Sequence, residues 1–290
     1  MATASKRLRS RNQDGSECHE EPSVRYGTFQ DCLQAPIHRW FQYPAGFSYK
    51  LIDAKVQEHR LGPRHWILDP FAGCGTTLVA AKLQGVNGIG IEAHPFVHWV
   101  AKVKCYWEYH LPTLERIVNS FCEAIDQALT SGTIDHTDIS EFPELVGKCY
   151  SALNLTRLTW IRDAIDNFEA DEPMKDFFRL ALTATLRNAA KAGTGWPYIA
   201  PTKYHEKIIE RNAFTEFQLQ LRRMLKDLYL VTAGSRWKRA AVTLILGDAR
   251  LPHPEVKEES VDLAITSPPY LNNYDYADRT RLEMYFFGWA

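Results

Sequence analysis

The chain has 290 residues, of which 45% are hydrophobic and 24% charged, and its formal net charge is −1. That balance is ordinary for a globular protein, and no apolar run approaches the roughly 20 residues that a membrane span needs. The near-zero charge excludes a global basic signal for nucleic acid and leaves only a local basic face to contact phosphate.

Residues 1–23 are charged and Ser-rich, with the basic cluster Lys6-Arg7-Leu8-Arg9-Ser10-Arg11, and read as a mobile arm. The cluster can touch phosphate or can be a solvated tail. Met1 to Glu21 is polar, so this is no secretory signal. The six cysteines show no Cys-x-x-Cys spacing and read as reduced thiols of a cytoplasmic protein with no zinc site. Residues 36–60 carry many aromatics around Pro44 and Gly46, then a helical stretch through Leu51-Ile52-Asp53-Ala54-Lys55-Val56.

The next stretch carries chemistry. Ile67-Leu68-Asp69-Pro70-Phe71-Ala72-Gly73-Cys74-Gly75-Thr76-Thr77 runs from an apolar strand into a glycine-rich turn, and Leu78 to Leu83 continues as a helix. Gly73 and Gly75 let the backbone come close to a ligand, and the new helix points free N–H groups at the same place. Leu78 stands where a dinucleotide fingerprint has its third glycine. A second strand, Gly88-Ile89-Gly90-Ile91-Glu92, ends in an acid about 20 residues beyond the turn, where a carboxylate binds both ribose hydroxyls of a nucleoside cofactor. A glycine loop with a ribose acid but without the third glycine suits S-adenosylmethionine better than NAD. After Glu92, His94-Pro95 breaks the strand and a helix resumes at Phe96; Pro95 or Phe96 is placed to contact an adenine ring. His94 and His98 are four apart, but no third ligand is in view, so no metal is expected.

From about 111 to 238 the chain turns helical, with apolar residues at three- and four-residue spacing in Leu114–Leu129, Leu155–Phe168, Met174–Ala190 and Phe214–Val231. An insertion of about 130 residues is long for a crossover and reads as a subdomain. Its loop Lys191-Ala192-Gly193-Thr194-Gly195-Trp196-Pro197-Tyr198 precedes the most basic part of the chain: Lys203, Lys207, Arg211, Arg222, Arg223, Lys226, Arg236, Lys238 and Arg239. This part is expected either to form a DNA-facing wall or to be a helical cap with a solvated face. A third strand, Ala241 to Leu246, ends in Gly247-Asp248, and a strand-end aspartate there can accept a hydrogen bond from an adenine N6. A fourth, Val261 to Ile265, stops at Thr266-Ser267-Pro268-Pro269-Tyr270, because neither proline can donate to a sheet ladder. Ser267 Oγ and the carbonyls near Pro268 can accept from an exocyclic NH₂ while the Tyr270 ring stacks on its base; the alternative is a plain proline turn.

Asp69-Pro70-Phe71-Ala72-Gly73-Cys74-Gly75-Thr76-Thr77 together with Thr266-Ser267-Pro268-Pro269-Tyr270 resembles the amino-group DNA methyltransferases of bacteria and their phages. The Ser-Pro-Pro-Tyr form is similar to the cytosine-N4 branch. The resemblance extends to Ile37–Ser48 and Tyr270–Tyr276. It implies an α/β, Rossmann-like sheet made of 24–110 and 239–290, with 111–238 as a helical insertion. It implies S-adenosylmethionine bound by Asp69, Phe71, Gly73, Gly75, Thr76, Thr77, Glu92 and Asp248, with Phe47 and Ser48 near its methionine end. Catalysis falls to Ser267, Pro268, Pro269 and Tyr270, on a cytosine flipped out of double-stranded DNA, in a restriction-modification or phage-defence setting. Adenine-N6 DNA methylation, RNA guanine-N2 methylation by a similar Pro-Pro-Tyr corner, and a non-catalytic cofactor-binding subunit remain the alternatives. The pattern also implies a further strand and hairpin after the fourth strand. The aromatic run Leu282 to Ala290 is a poor choice for a free terminus and the fourth strand would be an uncovered edge, so the chain is expected to be one half of a split or truncated enzyme, or to pair with a second polypeptide that supplies the rest.

Overall fold

The computed structural model describes residues 26–43, 46–131, 134, 138–191, 210–269 and 278–289. The N-terminal arm, Tyr270, Lys203 and Lys207 lie outside the described residues, as does the loop 192–209. Four strands form one sheet: β1 (Trp66–Asp69), β2 (Asn87–Glu92), β3 (Val242–Leu246) and β4 (Leu263–Ala264). Their order is β3-β2-β1-β4 and every pairing is parallel. This is the Rossmann-like sheet expected. The chain builds outward from β1 through β2 to β3, then returns to the other side of β1 for β4. The order therefore reverses between β1 and β4, and ligands of open α/β sheets bind outside the C-terminal ends of the strands at such a reversal.

Helix α1 (Lys50–Glu58) precedes the sheet, α2 (Thr76–Gln84) links β1 to β2, and α3 (Pro95–Cys105) follows β2. The periodicity of the insertion is realised as α4 (Leu111–Ser131), α6 (Ala152–Asn167), α7 (Glu172–Asn188) and α8 (Ala213–Thr232). The short α5 (Glu144–Cys149) was not expected from the sequence. Side-chain caps start three of the helices: Ser151 accepts from Asn154 N–H, Asp171 from Met174 N–H, and Asn212 from Phe214 N–H.

Among the described residues, the insertion shares its core with the helices on the sheet. One continuous cluster joins Cys74, Leu78 and Val79 around α2 and Phe96, Val97 and Val100 of α3 to Phe121, Leu158, Phe178 and Phe217 of the inserted helices. The expected subdomain is thus a layer packed on one face of the sheet. Among the described residues, the opposite face carries a small cluster of Ile89, Ile91 and Ile245, with Trp66, Leu68, Ala249 and Val256 packed against it. The chain before β1 is tied to the same layer by one buried carboxylate. Asp227 of α8 accepts from Ile37 N–H at 3.1 Å, Trp40 Nε1–H at 3.1 Å and Arg39 Nε–H at 3.0 Å. That grip holds Ile37 at φ +64, a region a β-branched residue rarely enters.

The terminal aromatic run packs in part on the rest of the chain. It forms α9 (Arg281–Phe287), whose Leu282, Glu283 and Phe286 are buried. Phe286 stacks on Phe142, and Trp289 packs edge-on against Phe96 and Trp99 of α3. Leu282 and Phe286 therefore find their cover within this chain, while Trp289 stays 44% exposed.

Candidate active site

Loop and strand tips converge on one cleft at the C-terminal edge of the sheet. It measures about 860 Å³ including its open mouth. β1 delivers Pro70 to Cys74, β2 delivers Glu92 to His94, β3 delivers Gly247 to Ala249, and β4 delivers Ser267 and Pro269. Tyr43 and Phe47 close it from the segment before α1.

The glycine turn is built from beneath. Asp69, fully buried at the end of β1, accepts from Thr77 Oγ1–H at 2.5 Å and from Phe71 N–H at 3.1 Å. Burial raises its pKa above the usual aspartate range, and the hydroxyl of Thr77 opposes that rise. The turn itself runs through Gly73 at φ +52 and Gly75 at φ +82, conformations that glycine adopts without strain. A Cβ on Gly73 would meet the Tyr43 ring at 3.3 Å, and one on Gly75 would meet Ala101 Cβ at 3.1 Å. α2 then begins at Thr76 with no side chain capping it, so its first N–H groups are left for a ligand carrying negative charge.

Glu92 is held ready. Its Oε2 accepts from Gly73 N–H at 2.9 Å and its Oε1 from His94 N–H at 2.8 Å. Each oxygen keeps a second lone pair for a hydroxyl donor. Burial pushes its carboxyl above the ordinary glutamate range, against the pull of the two amides. Gly247 N–H donates to Glu92 O at 3.1 Å, which sets Asp248 beside Glu92 on the neighbouring strand. Asp248 is engaged bidentately by Arg250, and that guanidinium lowers its pKa to about 2. Both acids are thus brought to one edge, as the sequence suggested, with Asp248 also committed to an exposed arginine.

Of the expected site residues, Phe47, Phe71, Gly73, Thr76, Glu92, Asp248, Ser267 and Pro269 line the cleft. Asp69, Gly75, Thr77, Ser48 and Pro268 are not part of its lining. Ser48 is fully buried and donates to Asp31 Oδ2 at 2.6 Å, at the start of α1. Tyr43 and His94 line the cleft and were not expected to. The aromatic density before Pro44 was a usable signal for Tyr43; for His94 the only signal was its place next but one to the acid.

The inserted helices present two different ends. Arg236, Lys238 and Arg239 immediately precede β3 and lie by the C-terminus of α2, where Arg236 Nη1 donates to Gln84 Oε1 at 3.5 Å. They stand at the N-terminal edge of the sheet, about 20 Å of strand from the cleft. The ends of α7 and α8 that flank residues 192–209 lie on the cleft side, because Arg187 of α7 binds Glu283 of α9, whose neighbour Thr280 reaches His94.

Known proteins similar to this chain point in one direction. A family model described as DNA methylase matches residues 6–102, the span that holds the glycine turn and Glu92. The chain is related to the amino-group DNA methyltransferases. It is 27% identical to the type II methyltransferase M.BsoBI of Geobacillus stearothermophilus over 90% of its own length and 54% of that protein's. It is 23% identical to M.AvaI of Nostoc sp. over 98% of its length and 60% of the relative's. A shorter match, 34% identical over 82 residues, is to M.MjaII of Methanocaldococcus jannaschii. The chain thus spans a little over half the length of the first two relatives. No solved structure matches it significantly.

Methyltransferase relatives imply S-adenosylmethionine as the methyl donor. The cleft suits that molecule on its own terms. The uncapped start of α2 accommodates a carboxylate, the free lone pairs of Glu92 suit a ribose diol, and Phe47 and Phe71 supply apolar walls. Among the described residues, no helix is long and apolar enough to cross a membrane.

Proposed function

We propose that this chain carries the cofactor site and catalytic corner of a type II DNA methyltransferase, acting on the exocyclic N4 of a cytosine flipped from double-stranded DNA and serving restriction-modification. The observation that carries this reading is the meeting of Ser267 and Pro269 with Gly73, Glu92 and Asp248 around one cleft at the β1–β4 reversal.

An exocyclic NH₂ is a poor nucleophile because its lone pair is delocalised into the ring. Extruding the base costs a few kcal/mol, and stacking on Tyr270 returns roughly 1–3 kcal/mol of that. Ser267 Oγ and the Pro268 carbonyl accept hydrogen bonds from the NH₂, draw the nitrogen toward sp³ geometry and localise its lone pair. When bound, the cofactor supplies an electrophilic sulfonium methyl. Glu92 and the Gly73 turn fix its orientation, and the corner fixes the nitrogen; positioning of this kind is the main source of rate in a direct displacement. The chain contains no Pro-Cys pair, so the covalent route of C5-cytosine methylation has no nucleophile here.

The serine at the head of the corner favours N4-cytosine. N6-adenine methylation is the second reading, since the matched family is described only as DNA methylase. The test is nucleoside analysis of unmethylated DNA after incubation with the protein and S-adenosylmethionine. N4-methylcytosine supports the reading, N6-methyladenine replaces it with the second, and neither, despite cofactor binding, points to a non-catalytic subunit.

A further inference from the structure

Asp248 stands at the tip of β3, where its backbone is fixed. The preceding Gly247 N–H donates to Glu92 O at 3.1 Å, and the Asp248 carbonyl accepts from Leu251 N–H at 3.0 Å and from His253 Nε2 at 2.9 Å. Its carboxylate, in contrast, is claimed by one residue. Oδ1 accepts from Arg250 N–H at 2.9 Å and from Arg250 Nε at 3.0 Å. Oδ2 accepts from the same Nε at 3.0 Å and from Arg250 Nη2 at 2.5 Å. A carboxylate has about four lone-pair sites, and these contacts take all of them. An amino group arriving in the cleft therefore meets no vacant acceptor on Asp248.

Arg250 holds the carboxylate from the solvent side. It is not part of the cleft lining, and its side chain is 86% exposed against 36% for Asp248. Water competes for both members of so open a pair, which makes it weak. Its release needs only a side-chain rotation into solvent, with no movement of the backbone that Glu92, Leu251 and His253 hold. A ligand with an N–H donor at this point gains Asp248 by displacing the guanidinium. A ligand with a carbonyl there leaves the pair intact and loses nothing.

We propose that Arg250 is a specificity-determining residue that competes with the adenine amino group of the cofactor for Asp248, and so narrows the preference of the cleft for adenosyl over inosyl ligands. The proposal rests on the methyltransferase reading above, in which Asp248 accepts from that amino group. Calorimetry with S-adenosylhomocysteine and S-inosylhomocysteine, which carries a carbonyl in place of the amino group, tests it. Arg250→Ala binds the adenosyl probe about twofold to fivefold tighter than wild type, and the inosyl probe no tighter. Arg250→Lys keeps the charge without the planar fork and falls between the two. Added salt screens the pair and closes the gap between wild type and Arg250→Ala. On an Asp248→Ala background, Arg250→Ala changes nothing. Adenosyl binding by Arg250→Ala equal to or weaker than wild type overturns the proposal, and weaker binding makes Arg250 a ligand contact. An equal gain for both probes, a gain that survives without Asp248, or no adenosyl binding by either protein overturns it as well. The expected gain with no methyl transfer to DNA by either protein keeps the competition and sinks the methyltransferase reading.

Discussion

At the scale of single residues, the site divides into groups that face the ligand and groups that shape the loop from below. Glu92 faces it. Glu92→Gln keeps the shape but replaces a charged acceptor, so affinity for S-adenosylhomocysteine measured by calorimetry falls by roughly 1.5–3 kcal/mol, tenfold or more. Burial holds this carboxyl above the ordinary glutamate range, and the ionised form is the one that accepts from a diol. Wild-type affinity therefore weakens as pH falls through that raised pKa, beginning above the pH at which an exposed glutamate would titrate, and the Gln variant loses this dependence. A variant with unchanged affinity and an unchanged pH profile would remove Glu92 from the binding set. Thr77 shapes the loop. Thr77→Val leaves the buried Asp69 carboxylate short of a donor, which costs about 1–3 kcal/mol of stability in urea unfolding, with a smaller loss of cofactor affinity. The reverse pattern, intact stability with lost affinity, would mean that Thr77 touches the ligand directly.

At the scale of elements, the sequence yielded the four strands, the glycine turn and the long helices. Their patterns are local: an apolar run closed by prolines, or a three-to-four spacing sustained over many residues. It misled where a role depends on depth rather than type. Asp69, Thr77 and Ser48 belong to motifs that bind ligand, yet they sit under the loop or at the foot of α1, and residue type alone does not separate a lining group from a supporting one. α9 was hidden for another reason. Seven residues ending in two phenylalanines read as exposed apolar surface until Phe142 and α3 supply the partners, and those partners are more than 140 residues away in the chain. The Asp227 network was equally invisible, since it links α8 to Ile37, Arg39 and Trp40 across the whole insertion. It also carries a consequence for the cleft, because the segment it pins leads to Tyr43 and Phe47. Asp227→Ala strands several buried donors and lowers unfolding stability by roughly 3–5 kcal/mol. A loss under about 0.5 kcal/mol, the range of ordinary surface changes, would show that the network holds nothing.

At the scale of the whole molecule, the helical insertion and the sheet share one core, and the layer is anchored to both the N-terminal segment and the C-terminal helix. Thermal unfolding of the chain is accordingly a single transition whose calorimetric and van't Hoff enthalpies agree. Two resolved transitions would mean that the insertion folds as a separate unit. The same arrangement divides the basic residues. Arg236, Lys238 and Arg239 stand at the edge of the sheet away from the cleft, so under the proposed function they are not expected to supply phosphate contacts beside Ser267. In the proposed function, the corner at Ser267, served by the cofactor cleft, moves a methyl group to DNA. The most direct measurement is transfer of radiolabelled methyl from S-adenosylmethionine to unmethylated double-stranded DNA by this chain and by Ser267→Ala, with cofactor affinity measured in parallel. The expected result is label in the DNA from the wild type, and its near loss in the variant at unchanged cofactor affinity. Equal transfer by both proteins would contradict it, and tight cofactor binding with no transfer by either would assign catalysis elsewhere.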